Sequence, residues 1–181
     1  MKSILLLSGG LDSAVLLCCF VPTETLCLSV DYGQPREELE AAKKMTEELG
    51  FQHKTVSIQG VYSKSSSGIF SGNDEIASDT VIPSRNAILI SLAVGVGADE
   101  IYIGCNQDDQ EDYPDCRRSF LRSIGNALGV TIKTPLISST KKQIVDMSRL
   151  ANISLNDFVS CYRGTNCGEC FSCKVLLGAI K

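Results

Sequence analysis

The sequence has little of what several common protein classes depend on. Its 181 residues include one histidine, His53, which argues against a Ser-His-Asp or Cys-His catalytic apparatus. There is no long run of lysine or arginine, and the net charge of −4 argues against direct binding to nucleic acid. No apolar run reaches the roughly 18–20 residues of a membrane span, and residues 1–20 lack a signal-peptide cleavage site. We therefore expect a cytoplasmic protein with no membrane or nucleic-acid partner.

The cysteines are numerous but do not form a disulfide framework. Their number is nine, which is odd, and they are scattered over the chain, as suits a reducing compartment. Cys18, Cys19 and Cys27 lie in apolar runs, so we expect them to be small core residues. His53 falls between a predicted helix and a predicted strand, and we expect it in a solvated loop.

The hexapeptide at residues 8–13, SGGLDS, lies between the apolar runs at residues 4–7 and 14–20. This pattern predicts a strand, a tight turn and a helix. Two glycines allow a positive φ and close approach to a ligand, and the first turn of the helix presents free N–H groups to an anion such as a polyphosphate. The segment is neither a Walker loop nor a dinucleotide fingerprint. The alternative on spacing alone is an ordinary capped helix after a Gly-Gly turn.

This hexapeptide resembles the pyrophosphate loop of the ATP-pyrophosphatase, or PP-loop, family. Members cleave ATP between the α- and β-phosphates, adenylate a substrate oxygen and displace AMP with a nitrogen or sulfur nucleophile. The resemblance implies that the loop residues hold the pyrophosphate of ATP; these are Ser8, Gly9, Gly10, Leu11, Asp12 and Ser13.

The rest of the chain alternates predicted strands and helices. The alternation predicts an α/β fold: a Rossmann-like, doubly wound parallel sheet of about five strands. We expect a nucleotide-binding domain at residues 1–150 and a small helical zinc-knuckle module packed on it at residues 151–181. Residues 60–80, rich in Ser and Gly, are predicted to be a long loop with little core of its own. Polar segments follow the first, second and fourth strands, which predicts a ligand site at that edge of the sheet.

Four cysteines near the C-terminus have the spacing of metal ligands. Cys161, Cys167, Cys170 and Cys173 include two overlapping C-x2-C steps, which can converge on Zn²⁺ at about 2.3 Å. A full shell of four thiolates predicts a structural zinc site. An iron–sulfur cluster is the competing metal, and four core cysteines without metal is the further alternative.

An acidic, proline-broken segment follows the fourth predicted strand. Asp109 and Asp115 belong to it, and a carboxylate there could accept two N–H donors from a guanine-like base. The alternative is a solvated loop in which Asp115 caps the next helix.

Taken in order along the chain, the motifs resemble the 7-cyano-7-deazaguanine synthase family of the queuosine pathway. They are the PP-loop, DYGQ at residues 31–34, PSRN at 83–86, YPDCR at 113–117, TPL at 134–136 and the C-terminal cysteines. The resemblance implies ATP, 7-carboxy-7-deazaguanine and ammonia as substrates, zinc on the four cysteines, and a homodimer. The sequence departs from the family pattern after DYGQ, where Pro35 and Arg36 follow, and between Cys161 and Cys167.

The resemblance also implies roles for individual residues. Catalysis is expected from Ser8, Asp12, Ser13 and Lys141. ATP binding is expected from the loop together with Asp31, Arg85 and Asn86. Binding of the deazaguanine is expected from Tyr32, Gln34, Asp109, Asp115 and Arg117.

The implied reaction is that of an ATP-dependent carbon–nitrogen ligase. Adenylation turns a carboxylate into an electrophile, ammonia gives the amide, and a second adenylation on the amide oxygen gives the nitrile. Mg²⁺ would neutralise the phosphates, with Asp12 or Asp31 as its ligand. Three alternatives stay open: an enzyme that stops at the amide or joins the acyl group to another amine, a tRNA sulfurtransferase using Cys170 and Cys173, and a non-catalytic nucleotide-binding zinc module.

Overall fold

A parallel five-stranded sheet forms the centre of the protein. The computed structural model describes residues 1–58, 60–62, 65 and 67–181. The strands are β1 (Ser3–Leu6), β2 (Leu26–Asp31), β3 (His53–Ser57), β4 (Glu100–Tyr102) and β5 (Thr131–Lys133). They lie in the order β3-β2-β1-β4-β5, and every neighbouring pair is parallel. The predicted doubly wound α/β fold is therefore confirmed.

Helices connect the strands and cover both faces of the sheet. They are α1 (Leu11–Cys19), α2 (Arg36–Leu49), α3 (Gly68–Ser71), α4 (Arg85–Gly95), α5 (Asp109–Asp112), α6 (Arg118–Leu128), α7 (Lys141–Leu150) and α8 (Phe171–Ile180). Short 3₁₀ turns lie at Ala77–Thr80 and Pro114–Cys116. A capping box begins α7: Thr140 and Gln143 are bonded reciprocally, as the pattern Thr-x-x-Gln before a helix favours.

The side chains of β1 point alternately into two hydrophobic cores, one on each face of the sheet. Leu5 packs on one side among residues of α1 and α7, and Ile4 packs on the other among residues of α4 and α6. Successive side chains of a strand point to opposite faces, so one strand buried on both faces is apolar throughout. The order of the connections reverses between β1 and β4, and a crevice opens there beyond the carboxyl ends of the strands.

Three local expectations differ from the structure. Cys18 and Cys19 are exposed in the last turn of α1, so of the three cysteines predicted for the core only Cys27 is buried. His53 is the first residue of β3 and not a loop residue, and its Nε2 lies 2.8 Å from Ser29 Oγ. The segment at 60–80 contains α3 and a 3₁₀ turn, and Asp74 within it is fully buried, although Gln59, Ser63, Lys64 and Ser66 lie outside the described residues.

The C-terminal residues are packed on the sheet domain. Phe158 and Ala179 belong to the same core as α1 and α7, and a separate small core surrounds the C-terminal cysteines. Across the described ranges, the helices are too short or too polar to cross a bilayer.

Candidate active site

The loop at residues 8–13 turns on one glycine, not two. Gly9 has φ of +93°, and a Cβ there would overlap the backbone oxygen of Glu38 in α2 and lie 2.9 Å from its carbonyl carbon. Gly10, by contrast, has φ of −83°, and its nearest obstacle to a Cβ is Ser8 Oγ at 3.4 Å. Gly9 thus lets the loop pack against α2, whereas Gly10 lines the cleft at a place where a Cβ would make ordinary contacts.

Two hydroxyl groups hold this turn. The Ser13 hydroxyl donates to the Gly10 carbonyl at 3.0 Å and accepts from the Gly9 N–H at 3.2 Å. Ser8 Oγ lies 3.1 Å from Ser13 Oγ and accepts from the Gly10 N–H at 3.1 Å. No side chain caps the start of α1. The free N–H groups of its first turn therefore point into the cleft as an anion site.

A lysine and two carboxylates lie beside the loop. Lys141 Nζ is 2.8 Å from both oxygens of Asp12, and the side chains are only 19% and 15% exposed. Burial alone would lower the pKa of Lys141, but Asp12 and Asp109 raise it, so the ammonium form is retained. Burial raises the pKa of Asp109 to about 6, with the nearby Asp12 adding to the effect of burial.

Asn106, which the sequence analysis did not select, fixes this group. It is fully buried, its amide donates to Asp12 Oδ2 at 2.8 Å, and its Oδ1 accepts from the Asp109 N–H at 3.0 Å. A single asparagine after β4 thus orients both Asp12, which follows β1, and Asp109, which follows β4. The only sequence signal was its place in the polar segment that follows that strand.

One cleft collects most of the residues that the sequence predicts for the site. It is lined by Ser8, Gly10, Leu11, Asp12, Ser13, Tyr32, Gln34, Arg85, Asn86, Asp109 and Lys141. Leu28, Val30, Leu89 and Ile103 form an apolar wall of the same cleft. A flat apolar surface beside an anion site suits a nucleotide, whose base is apolar on both faces and whose phosphates are charged.

Some predicted residues lie elsewhere. Asp115 does not line the cleft; its Oδ2 accepts the Asn86 backbone N–H at 2.8 Å, at the start of α4. Arg117 is exposed, and its Nε donates to the Gln110 carbonyl at 3.1 Å. Asp31 accepts the Gly33 N–H at 3.2 Å within its own turn, outside the lining of the cleft. Of these three, Asp115 supports the site from behind, because Asn86 lines the cleft.

The turn after β2 supplies a second group of polar side chains. Both ends of the buried Gln34 amide bond to backbone, donating to Val30 and accepting from Tyr32. The Arg85 guanidinium carbon lies 6.0 Å from the centre of the Tyr32 ring. Burial alone would lower the pKa of Arg85, but Tyr32 and other acidic neighbours raise it, so this residue is a permanent cation.

Glu38 is a further cleft residue that sequence reasoning missed. It lies in the first turn of α2 and lines the cleft together with Arg85 and Tyr32. Burial raises the pKa of its carboxyl to about 8, against the opposing effect of Arg85. Nothing in the sequence separates it from the other glutamates of α2, since only packing against the loop turns this one inward.

Aromatic side chains form a part of the cleft wall that is here called the aromatic end. Tyr113, Tyr162 and Phe171 border a side chamber that also reaches Asp109 and Lys141. Tyr113 Oη lies 2.7 Å from Thr80 Oγ1 and 3.4 Å from Tyr162 Oη. Burial raises the pKa of Tyr113, so its hydroxyl stays protonated.

The four C-terminal cysteines converge. All four sulfur atoms lie within 4.8 Å of one another, and those of Cys161 and Cys167 are 3.6 Å apart. Four sulfurs at about 2.3 Å from one Zn²⁺ would be about 3.8 Å apart. Burial raises the pKa of Cys161, but N–H groups, including those of Cys167 and Arg163, lower it to about 6, which favours a thiolate. The cluster is therefore capable of binding a metal ion.

A PP-loop followed by α1, at the switch point of a parallel 3-2-1-4-5 sheet, defines a protein of the PP-loop nucleotide-binding class. Residues 2–180 match the model of the family described as "Queuosine biosynthesis protein QueC". The chain belongs to this family. The resemblance drawn from the motifs is thereby confirmed.

Curated relatives cover nearly the whole chain. A protein of Saccharophagus degradans named 7-cyano-7-deazaguanine synthase is 35% identical, over 96% of this chain and 90% of its own length. A protein of Rickettsia akari with the same name is 32% identical, over 99% and 94%. The alignments thus include both the loop and the cysteine cluster.

Solved structures share the fold at low identity. The U34-tRNA thiolase NcsA of Methanococcus maripaludis, described with its [4Fe-4S] cluster, has a TM-score of 0.57 at 20% identity and covers 99% of this chain and 70% of its own. The NH3-dependent NAD synthetase of Campylobacter jejuni has a TM-score of 0.54 at 19% identity and covers 86% and 66%. Both show the α/β architecture.

Proposed function

We propose that this protein is an ATP-dependent carbon–nitrogen ligase that converts 7-carboxy-7-deazaguanine and ammonia to 7-cyano-7-deazaguanine, releasing AMP and pyrophosphate. The observation that carries the proposal is the single cleft in which an anion-binding helix terminus meets the Asp12–Lys141 pair and Asp109. Family membership and the names of the relatives support the choice of substrates.

The loop end of the cleft binds the triphosphate. The N–H groups at the start of α1 and the hydroxyl of Ser8 donate to the β- and γ-phosphates, where charge develops as pyrophosphate leaves, while the Ser13 hydroxyl holds the turn through the Gly10 carbonyl. Lys141 supplies a cation beside the reacting phosphate, and Asn106 holds Asp12 in place. Mg²⁺ would be held by Asp12, which lies in the cleft, in preference to Asp31, and would supply charge neutralisation of the phosphates.

The aromatic end binds the deazaguanine. Asp109 is the carboxylate that faces this chamber, so we assign to it the acceptance of the N1–H and exocyclic amine donors. Asp115 acts behind the surface instead, by holding Asn86 at the start of α4. Tyr113 and Tyr162 offer flat faces for stacking on the base.

The nucleophile needs a proton acceptor. Ammonia that attacks the acyl adenylate must lose a proton, and the amide must lose its N–H protons as AMP leaves the second time. Glu38 is a carboxylate of the cleft wall that is free of an ion pair within the described residues and has a pKa near working pH, so we assign this role to it.

The cysteine cluster has a structural role. A shell of four thiolates leaves no open position for a substrate, so Zn²⁺ there would stabilise the C-terminal segment that carries Tyr162 and Ser160 into the cleft. The homodimer stays a prediction.

The test is incubation of the purified protein with ATP, 7-carboxy-7-deazaguanine and ammonium, with nucleotides and base analysed by mass spectrometry. AMP, pyrophosphate and the nitrile are expected in amounts that require two ATP per nitrile. Accumulation of the amide as the final product would identify the variant that stops there. ADP and phosphate as the only nucleotide products would contradict the adenylation chemistry.

A further inference from the structure

The segment from Ser67 to Ile82 is held to residues 151–181, called the cysteine module below, by an ion pair whose carboxylate is buried. Asp74 is 1% exposed, and its Oδ1 accepts from Arg163 Nη2 at 2.7 Å; both oxygens lie 3.3 Å from Arg163 Nε. The Asp74 carbonyl also accepts the Phe171 N–H at 2.7 Å, at the start of α8. A planar guanidinium that grips a buried carboxylate with two nitrogens fixes both distance and angle.

The same two segments meet again inside the cleft. Thr80 follows Asp74 by six residues, Tyr162 precedes Arg163 by one, and Tyr113 Oη lies between their hydroxyls at 2.7 and 3.4 Å. Thr80, Tyr113 and Tyr162 all line the cleft. The spacing between these hydroxyls therefore depends on how the segment from Ser67 to Ile82 sits on the cysteine module.

We propose that the Asp74–Arg163 pair is a positioning contact that sets the shape of the wall formed by Thr80, Tyr113 and Tyr162 and so determines which base the enzyme accepts. This inference rests on the proposed function. The pair lies outside the cleft lining and contacts no substrate, so it acts through the hydroxyl chain. Arg163 also reaches Glu169 at 3.1 Å, which orients the guanidinium from its open side.

A merely stabilising contact would behave differently. A looser wall alters the fit of the base but leaves the triphosphate site, which is built from α1 and α7, as it was. Loss of stability, by contrast, lowers the amount of active enzyme for every substrate equally. The ratio of kcat/KM between two bases therefore separates the two roles, because it cancels the active fraction.

The chain offers a matched control. Lys174 and Glu75 form an ion pair of 3.2 Å between the same two segments, but its side chains are 48% and 64% exposed. Exposed pairs of this kind contribute little. Lys174→Gln should therefore leave three quantities unchanged: KM for the deazaguanine acid, KM for ATP and the ratio of kcat/KM between the two bases.

The experiment uses Arg163→Lys, Arg163→Ala, Thr80→Val and Lys174→Gln in the full chain, each checked for metal content and melting temperature. Steady-state rates are measured with 7-carboxy-7-deazaguanine and with its analogue that lacks the exocyclic amine. The base ratio is kcat/KM for the deazaguanine acid divided by kcat/KM for the analogue. We expect Arg163→Ala to raise KM for the deazaguanine acid roughly tenfold, because a small displacement far from the chemistry has effects of this order. The same variant should lower the base ratio and leave KM for ATP unchanged. Arg163→Lys should have an intermediate KM and base ratio, since it keeps the positive charge but cannot bond the carboxylate through two nitrogens of one planar group.

Thr80→Val keeps the inference testable if the Arg163 variants lose metal. It removes one hydroxyl of the chain, far in sequence from the cysteines, and should lower the base ratio in the same direction. An unchanged ratio in Arg163→Ala or, where that variant has lost its metal, in Thr80→Val overturns the inference. If the wild-type protein forms no AMP with the deazaguanine acid, the proposed function itself has failed.

Discussion

Replacing Gly9 and Gly10 one at a time by alanine separates two reasons for glycine in the loop. In Gly9→Ala the new methyl group would overlap the Glu38 carbonyl oxygen and lie 3.1 Å from the Ala42 nitrogen. The left-handed φ costs about 1–2 kcal/mol for a residue with a Cβ. The overlap costs a further ~1–3 kcal/mol, as in other overpacked sites. We expect a loss of about 2–5 kcal/mol, which corresponds to roughly 4–20 °C in melting temperature for a domain of this size.

Gly10→Ala is the matched control for stability. Its φ of −83° and ψ of 170° suit alanine, and its nearest contact of 3.4 Å is tolerable, so its unfolding free energy should stay within about 1 kcal/mol of wild type. The methyl group instead enters the space beside the helix terminus and should weaken ATP binding. Urea unfolding and ATP titration of both variants are the measurements. Equal stability of the two would refute the assignment of the strained turn to Gly9.

Three further outcomes are expected. Cys170→Ser should lose bound zinc and lower the melting temperature, whereas Cys18→Ser should change neither; metal analysis that finds equal zinc in both variants and wild type would contradict the cluster. Binding of the uncharged nitrile should weaken as pH falls through about 6, because the raised pKa of Asp109 places protonation there and only the carboxylate accepts two N–H donors. Asp109→Asn should bind weakly and without this pH dependence, and a wild-type affinity that is flat from pH 5 to 8 would count against Asp109 as the base acceptor. If Glu38 accepts the proton, kcat/KM of the wild type should rise as pH rises through about 8, because Glu38 ionises there. Glu38→Gln should lack that rise. The same rise in the variant would mean that ionisation of ammonium, and not of Glu38, causes it.

Local patterns were sufficient for much of the fold. The strand, turn and helix at the start of the chain follow from the apolar runs beside residues 8–13, and the alternation of the later segments agrees with a parallel sheet of five strands. These features depend on near neighbours in the chain, which a sequence displays directly. The cysteine cluster also depends on near neighbours, since four thiols within 13 residues can converge with little help from the rest of the chain.

The structure brings part of the predicted site together in one cleft. The cleft collects the loop, Lys141 and Asp109, as expected for residues that follow neighbouring parallel strands. The sequence could not tell which acid of the segment after β4 turns inward: Asp109 faces the cleft, and Asp115 accepts the Asn86 N–H 29 residues away. The exposed Cys18 and Cys19 show the same difficulty, because an apolar run does not say which of its residues the rest of the fold will cover.

The sequence by itself determined the chemistry available to this protein: an anion-binding loop after the first strand, a lysine and carboxylates at one sheet edge, and a four-cysteine cluster. Only the tertiary structure decided which groups act together. Asn106 reaches Asp12 across 94 residues, and Arg163 reaches Asp74 across 89. Such contacts arise because packing of helices on a sheet brings distant segments to one edge, and a pair of polar residues far apart in the chain carries no local pattern that announces its meeting.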